Sequence, residues 1–151
     1  MMTMQRVYLD NAASTPLAPE VFEAMRPYLT DFYGNPSSIH SHGRQLRAAI
    51  EQARRKVADL IGCSPGEIIF TSGGTEADNF AIKGSVMSRG VRRLITSPLE
   101  HHAVLHCAET VAHQHGVQVT MLTPDPEGRL SMNELEDALR QDGGPTLVAL
   151  M

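Results

Sequence analysis

The residues best suited to chemistry lie in segment 69–79, where an apolar run leads into two glycines, a threonine and a helix-like pattern. A strand followed directly by a helix start is predicted here, with the helix beginning near Thr75. The first amides of a helix have no partner within it, and the helix dipole adds positive potential, so such a start favours phosphate. Gly74 leaves its amide unobstructed, and Thr75 adds a hydroxyl donor. The pattern predicts an anion site at Gly74 and Thr75, although a glycine-rich turn with a Thr cap and no ligand has the same spacing.

This loop differs from the two common nucleotide-binding motifs. It is neither G-x-x-x-x-G-K-[ST] nor G-x-G-x-x-G, so a nucleoside triphosphate or dinucleotide site has poor support.

A second group of candidate residues lies at 101–107. His102 and His106 are four residues apart on a predicted helix, which is a spacing that can place two imidazoles on one metal, with His101 and Cys107 nearby. We favour the simpler interpretation, in which these side chains form a polar helix face and no metal site. From the residues alone, His101 is a loop or helix-cap histidine, and Cys107, like Cys63, is an ordinary small apolar residue.

Alternating helices and strands must position these residues. The apolar periodicity predicts strands at 7–9, 67–71, 93–97, 117–122 and 146–151, and helices from Pro19, at 41–61, from Thr75, at 103–115 and at 131–141. Pro27 predicts a kink or an early stop in the first helix. Such alternation is typical of an α/β fold with a mostly parallel sheet covered on both faces. The last strand-like run has no following helix, so we expect the fold to be incomplete at the C-terminus.

Composition excludes several classes of protein. The chain has 151 residues, 42% hydrophobic and 20% charged, with a net charge of −4, which argues against a direct nucleic-acid partner. No apolar run approaches the roughly 20 residues that span a membrane. The first residues lack the pattern of a secretory signal, and the two cysteines suggest no disulfide framework, so a cytoplasmic location is expected.

Four motifs in order resemble one known family. They lie at 8–16, at 34–38 with Gly43-Arg44, at 71–79 and at 97–104, and they cover nearly the whole chain. The chain resembles the cysteine desulfurases, which are pyridoxal-phosphate (PLP) enzymes of the class V aminotransferase family. The resemblance implies the parallel-sheet three-layer sandwich of fold type I PLP-dependent transferases. Residues 1–151 are then the N-terminal part of one large domain, with 1–20 as an N-terminal arm.

The resemblance also implies a function. PLP serves as the cofactor and electron sink, and sulfur from L-cysteine is taken up as an enzyme persulfide while L-alanine is released. The sulfur then passes to an acceptor protein of iron–sulfur cluster assembly or thiolation, and the enzyme is a homodimer. Gly74 and Thr75 match the phosphate-binding pair. His101 matches the catalytic histidine, which stacks on the cofactor ring and moves protons.

The chain departs from this family in two residues essential to the reaction. Neither of its lysines, Lys56 and Lys83, matches the lysine that forms the Schiff base, and neither Cys63 nor Cys107 matches the persulfide cysteine. Both groups are expected beyond residue 151, so we expect the chain to be inactive alone. The alternatives are a non-catalytic half-domain that associates with a second chain, and a related class V aminotransferase or selenocysteine lyase.

Overall fold

The computed structural model describes residues 7–151. They divide into two compact units, of which the first extends to Ile69 and the second comprises Phe70–Met151. The first unit contains helices α1 (Pro19–Thr30) and α2 (Ser41–Ile61) and a short 3-10 helix (Pro65–Glu67). The second contains α3 (Gly74–Arg89), β1 (Arg93–Thr96), α4 (His102–His115), β2 (Gln118–Met121), α5 (Met132–Arg140) and β3 (Thr146–Val148). Among residues 7–151, no helix is both long and apolar enough to cross a membrane.

The three strands form a parallel sheet in the order β2-β1-β3. Helix α4 connects β1 to β2, and α5 connects β2 to β3. In the central strand Leu94 is paired with Val119 on one side and with Leu147 on the other. The predicted parallel sheet is therefore confirmed.

The two faces of the sheet carry separate cores because successive side chains of a strand point to opposite sides. Leu94 packs in a cluster with Ile82 of α3 and Val111 of α4. Ile95 packs on the other side with Leu122 and with Ala138 of α5. Within the second unit the chain thus forms the predicted three layers, with helices on both faces of the sheet.

Helix α2 has the bounds that its apolar periodicity predicts, Ser41–Ile61. Nδ1 of His40 accepts a hydrogen bond from the Gly43 amide at 3.4 Å and so caps the start. At the other end Gly62 has φ 71°, in the left-handed region where glycine carries no steric penalty, and it ends the helix.

Two predicted strands are wrong. Residues 7–9 and 68–71 are not strands in the structure, and the range predicted to begin at Glu67 instead contains the end of the 3-10 helix. In the described residues neither segment has a neighbouring strand, and a strand needs a partner for its backbone groups. Ile69 and Phe70 are accordingly exposed. Helix α1 also continues past Pro27 to Thr30, so the expected early stop does not occur.

A buried arginine joins the sheet to α5. Arg93 is 3% exposed, and its guanidinium donates to the carbonyl oxygens of Gln141, at 2.7 Å, and Ala138. These carbonyls lie at the C-terminal end of α5, where the helix dipole favours a cation. A Cβ added to Gly143 would lie 2.2 Å from Cδ of Arg93, so the glycine makes room for the arginine stem.

Candidate functional site

The start of α3 presents amides for which the described residues supply no acceptor. The helix begins after Gly73, which provides no side-chain cap, and the first amide bonded within the helix is that of Ala77, which donates to the Gly73 carbonyl at 3.1 Å. Within the described chain, no acceptor is found for the amides of Gly74, Thr75 and Glu76. Helix α3 has 16 residues, so its dipole adds positive potential at this end. This end of the helix is therefore suited to an anion.

The loop before α3 is fixed by the carboxylate of Glu76. Its Oε2 accepts a hydrogen bond from the Ser72 amide at 2.6 Å and another from the Ser72 hydroxyl at 2.7 Å. The Thr71 hydroxyl donates to the Gly73 carbonyl at 3.2 Å. The Ser72 amide, followed by its hydroxyl, lowers the pKa of Glu76 below the usual value. The Ser72 amide is thus satisfied internally, whereas the next amides of the helix start are open.

Gly74 has room for a side chain among the described residues. A Cβ built on Gly74 meets nothing within 4 Å, and the same is true of Gly73. Gly74 does not have a positive φ, so neither packing nor backbone conformation requires a glycine there. What the missing side chain provides is open access to the backbone, which an approaching phosphate needs.

His101 caps the helix that follows β1. Its Nδ1 accepts a hydrogen bond from the Ala103 amide at 3.1 Å, so the neutral ring carries its hydrogen on Nε2. His101 and Thr75 line the same cavity, which has a volume of about 280 Å³. The structure therefore brings two of the three predicted site residues to one cavity. The third, Gly74, precedes Thr75 in the chain and is not part of the lining.

Asn79 links the two helices that border the cavity. Its Nδ2 donates to the Thr75 carbonyl at 2.9 Å and to the Ala103 carbonyl at 3.5 Å. Asn79 thereby connects the residue after Gly74 to the start of α4, and it also lines the cavity. Our sequence reasoning missed Asn79, although its position one helical turn after Thr75 places both on one face.

Comparison with known proteins now identifies the family. The class-V aminotransferase profile matches residues 7–151. The chain belongs to the class-V aminotransferase family. Among curated relatives of this aminotransferase chain, the cysteine desulfurase IscS of Dictyoglomus turgidum is 51% identical over 140 residues, covering 91% of this chain and 35% of that protein. The putative cysteine desulfurase IscS 1 of Bacillus subtilis is 48% identical over 141 residues, covering 92% of this chain and 37% of that protein.

The chain is also similar to several solved structures. A NifS-like protein matches 97% of the chain with a TM-score of 0.85 and 37% identity, and the match covers 40% of that structure. A structure described as SspA in complex with cysteine matches 92% of the chain with a TM-score of 0.79 and 39% identity, again over 40% of that structure. The chain spans about a third of the length of the curated relatives it matches.

The cysteine in the cavity wall of this class-V aminotransferase is a buried thiol. Cys107 is 1% exposed and packs in the core cluster between the sheet, α3 and α4. Burial raises the pKa of the Cys107 thiol, against the opposing effect of the Lys83 charge. A thiol with a raised pKa is a poor nucleophile near neutral pH, since the thiolate is the reactive form.

Among the described residues, the histidines beside the cavity of this class-V aminotransferase are not grouped with a third side chain as metal ligands would be. The His102 and His106 rings stack with centroids 5.6 Å apart, and the His101 and His102 rings lie 6.2 Å apart. Among residues 7–151, no group of three histidine, cysteine, aspartate or glutamate side chains is arranged to hold a metal ion.

Proposed function

We propose that this chain is the N-terminal part of a PLP-dependent cysteine desulfurase. The observation that carries the proposal is that Thr75, at the open helix start beside Gly74, lines the same cavity as His101. The chain is also about half identical to proteins named cysteine desulfurases. The cavity, at about 280 Å³, is near the lower end of the roughly 300–1,000 Å³ range of small-molecule sites, as suits a small flat cofactor.

The donor set fits the phosphate of PLP. The amides of Gly74 and Thr75 and the Thr75 hydroxyl would bind its oxygens, and the α3 dipole would stabilise the negative charge. The His101 ring would pack against the pyridine ring, with Nε2 as the atom that holds or moves a proton. When bound, PLP supplies an electron sink for chemistry at an amino acid substrate.

The reaction of the whole protein is part of the proposal. Sulfur from L-cysteine is taken up as a persulfide, L-alanine is released, and the sulfur passes to an acceptor protein of iron–sulfur cluster assembly or thiolation. We further propose a cytoplasmic homodimer, with residues 1–151 in one large domain and 1–20 as its N-terminal arm, of which 1–6 lie outside the described residues. The names of the relatives and the structure in complex with cysteine support the substrate.

We expect the 151-residue chain to be inactive alone because neither Lys56 nor Lys83 matches the expected cofactor-binding lysine. Helix α3 carries Lys83 two turns beyond the open amides, near the buried Cys107. With L-cysteine and PLP, the purified chain should form alanine no faster than free PLP does, as measured by amino acid analysis. Turnover above that of free PLP would contradict this expectation.

A second candidate is a half-domain that associates with another chain. The observation in its favour is helix α1, which has no buried residue although one face is apolar. Its exposed large apolar side chains are Val21, Phe22, Met25, Tyr28 and Leu29. Co-expression with a chain that carries the missing lysine and cysteine tests this candidate: the two chains should co-purify, and failure to do so would contradict it.

The phosphate site can be tested by a single methyl group. In Gly74→Ala the new Cβ meets no protein atom, so folding should be unaffected or slightly favoured, while the methyl obstructs an approaching phosphate. We expect PLP binding, measured by calorimetry, to weaken about tenfold, or about 1.4 kcal/mol.

The matched control is Gly84→Ala, which adds a methyl to the same helix, again with nothing within 4 Å. This variant should bind PLP as the parent chain does. If Gly74→Ala also binds PLP as the parent does, the helix start is not the phosphate site. If the parent chain does not bind PLP at all, the proposed function is wrong for the chain in isolation.

A further inference from the structure

The carboxylate of Glu76 binds Ser72 just before α3, a helix that begins without a side-chain cap. Serine is among the best helix caps because its hydroxyl accepts from amides two or three residues further on. Ser72 lies two residues before Gly74 and three before Thr75, which is the spacing of a cap to their amides once Gly73 takes a helical conformation in place of its extended one (φ 168°, ψ 177°). In the structure the Ser72 hydroxyl is instead bound to Oε2 of Glu76 at 2.7 Å, and the helix begins after Gly73 without a side-chain cap.

We propose that Glu76 is a positioning residue that keeps the helix start open by holding Ser72 away from it. The inference rests on the proposed phosphate site and adds to it a device that prevents self-capping. Two bonds from one carboxylate oxygen, to the amide and to the hydroxyl of Ser72, fix both the backbone and the side chain of the loop. Without them, Ser72 is free to cap the amides of Gly74 and Thr75 and to compete with phosphate.

Whether Glu76→Ala weakens or strengthens phosphate binding distinguishes this role from a purely electrostatic one. Glu76 lies in the first turn of α3, so its negative charge repels a phosphate there. If Glu76 acted only through its charge, Glu76→Ala would strengthen phosphate binding. If Glu76 restrains Ser72, the same substitution weakens binding, because an alternative cap becomes available.

The first experiment measures the binding of inorganic phosphate and of PLP to the full 151-residue chain by calorimetry. We expect Glu76→Ala to weaken both about fivefold, which corresponds to the one Ser72 cap that the anion must then displace. The double variant Glu76→Ala/Ser72→Ala removes the competing hydroxyl and should restore the affinity to within about twofold. Glu76→Gln keeps an acceptor for Ser72 without the charge and should also bind within about twofold of the parent chain.

Asp78→Ala is the matched control, since it removes a carboxylate from the same helix without touching Ser72. It should bind phosphate as tightly as the parent chain or more tightly. The inference is overturned if Glu76→Ala leaves the affinity unchanged or raises it, or if the double variant stays as weak as Glu76→Ala.

The second experiment needs no ligand. Amide hydrogen exchange followed by NMR should show fast exchange at Gly74 and Thr75 in the parent chain, slower exchange in Glu76→Ala, and fast exchange again in the double variant. Unchanged exchange in Glu76→Ala would refute the inference even if neither ligand binds. Binding of inorganic phosphate without binding of PLP would refute the proposed PLP site in the isolated chain and leave the role of Glu76 intact.

Discussion

Replacing Arg93 by methionine should destabilise the second unit strongly, because two carbonyl oxygens at the end of α5 lose their donors. The Ala138 carbonyl is buried with its bond, and the Gln141 carbonyl is partly buried. A buried acceptor left without a partner costs about 1–3 kcal/mol, so we assign about 2 kcal/mol to the first and about 1 kcal/mol to the second. Methionine retains most of the apolar stem, so the expected loss in the free energy of unfolding is about 3 kcal/mol. Lysine keeps the charge but cannot reach both carbonyls, so Arg93→Lys should lose about half as much.

Urea unfolding followed by circular dichroism measures this loss, and amide exchange in α5 locates it. Arg92→Met is the control, since Arg92 is the exposed neighbour in sequence and its replacement should change the free energy of unfolding by no more than about 0.5 kcal/mol. If Arg93→Met is as stable as Arg92→Met, the guanidinium does not satisfy the end of α5, and the reasoning fails.

Further predictions concern the cysteines. Cys107 should react with a maleimide far more slowly than the partly exposed Cys63 at neutral pH, because it is buried and its thiol pKa is raised; mass spectrometry of the labelled peptides measures both rates. The Cys107 rate should rise with pH as thiolate forms, and Cys63→Ser isolates it; equal rates at the two cysteines would contradict the burial of Cys107.

The sequence predicted those elements whose signals are local. Helix α2 follows from its apolar periodicity and from Gly62, and α4 ends in the same way, with Gly116 at φ 65°. The strand at Arg93–Thr96 was recognisable as a short apolar run. The similar run at 67–71 also predicts a strand, but the sheet of the described residues does not include it, because strand pairing depends on distant parts of the chain.

The residues of the candidate site also differ in whether a local pattern in the sequence indicates them. Gly74 and Thr75 were found because they lie in one short motif, and His101 was found only through the resemblance to a family. The bond from Asn79 to the Ala103 carbonyl joins residues 24 positions apart, so no local pattern could indicate it. The bond between Glu76 and Ser72 spans only four residues, but the choice of Ser72 as partner over the helix amides depends on the loop conformation.

The hydrogen bond from the Ala103 amide to His101 gives the two nitrogens of the ring separate tasks. Nδ1 is occupied as the acceptor at the start of α4, so Nε2 is the ring nitrogen left for a molecule in the cavity. The same bond holds the ring to the backbone of α4, so a substitution that removes Nδ1 would disturb the start of that helix as well as the cavity wall.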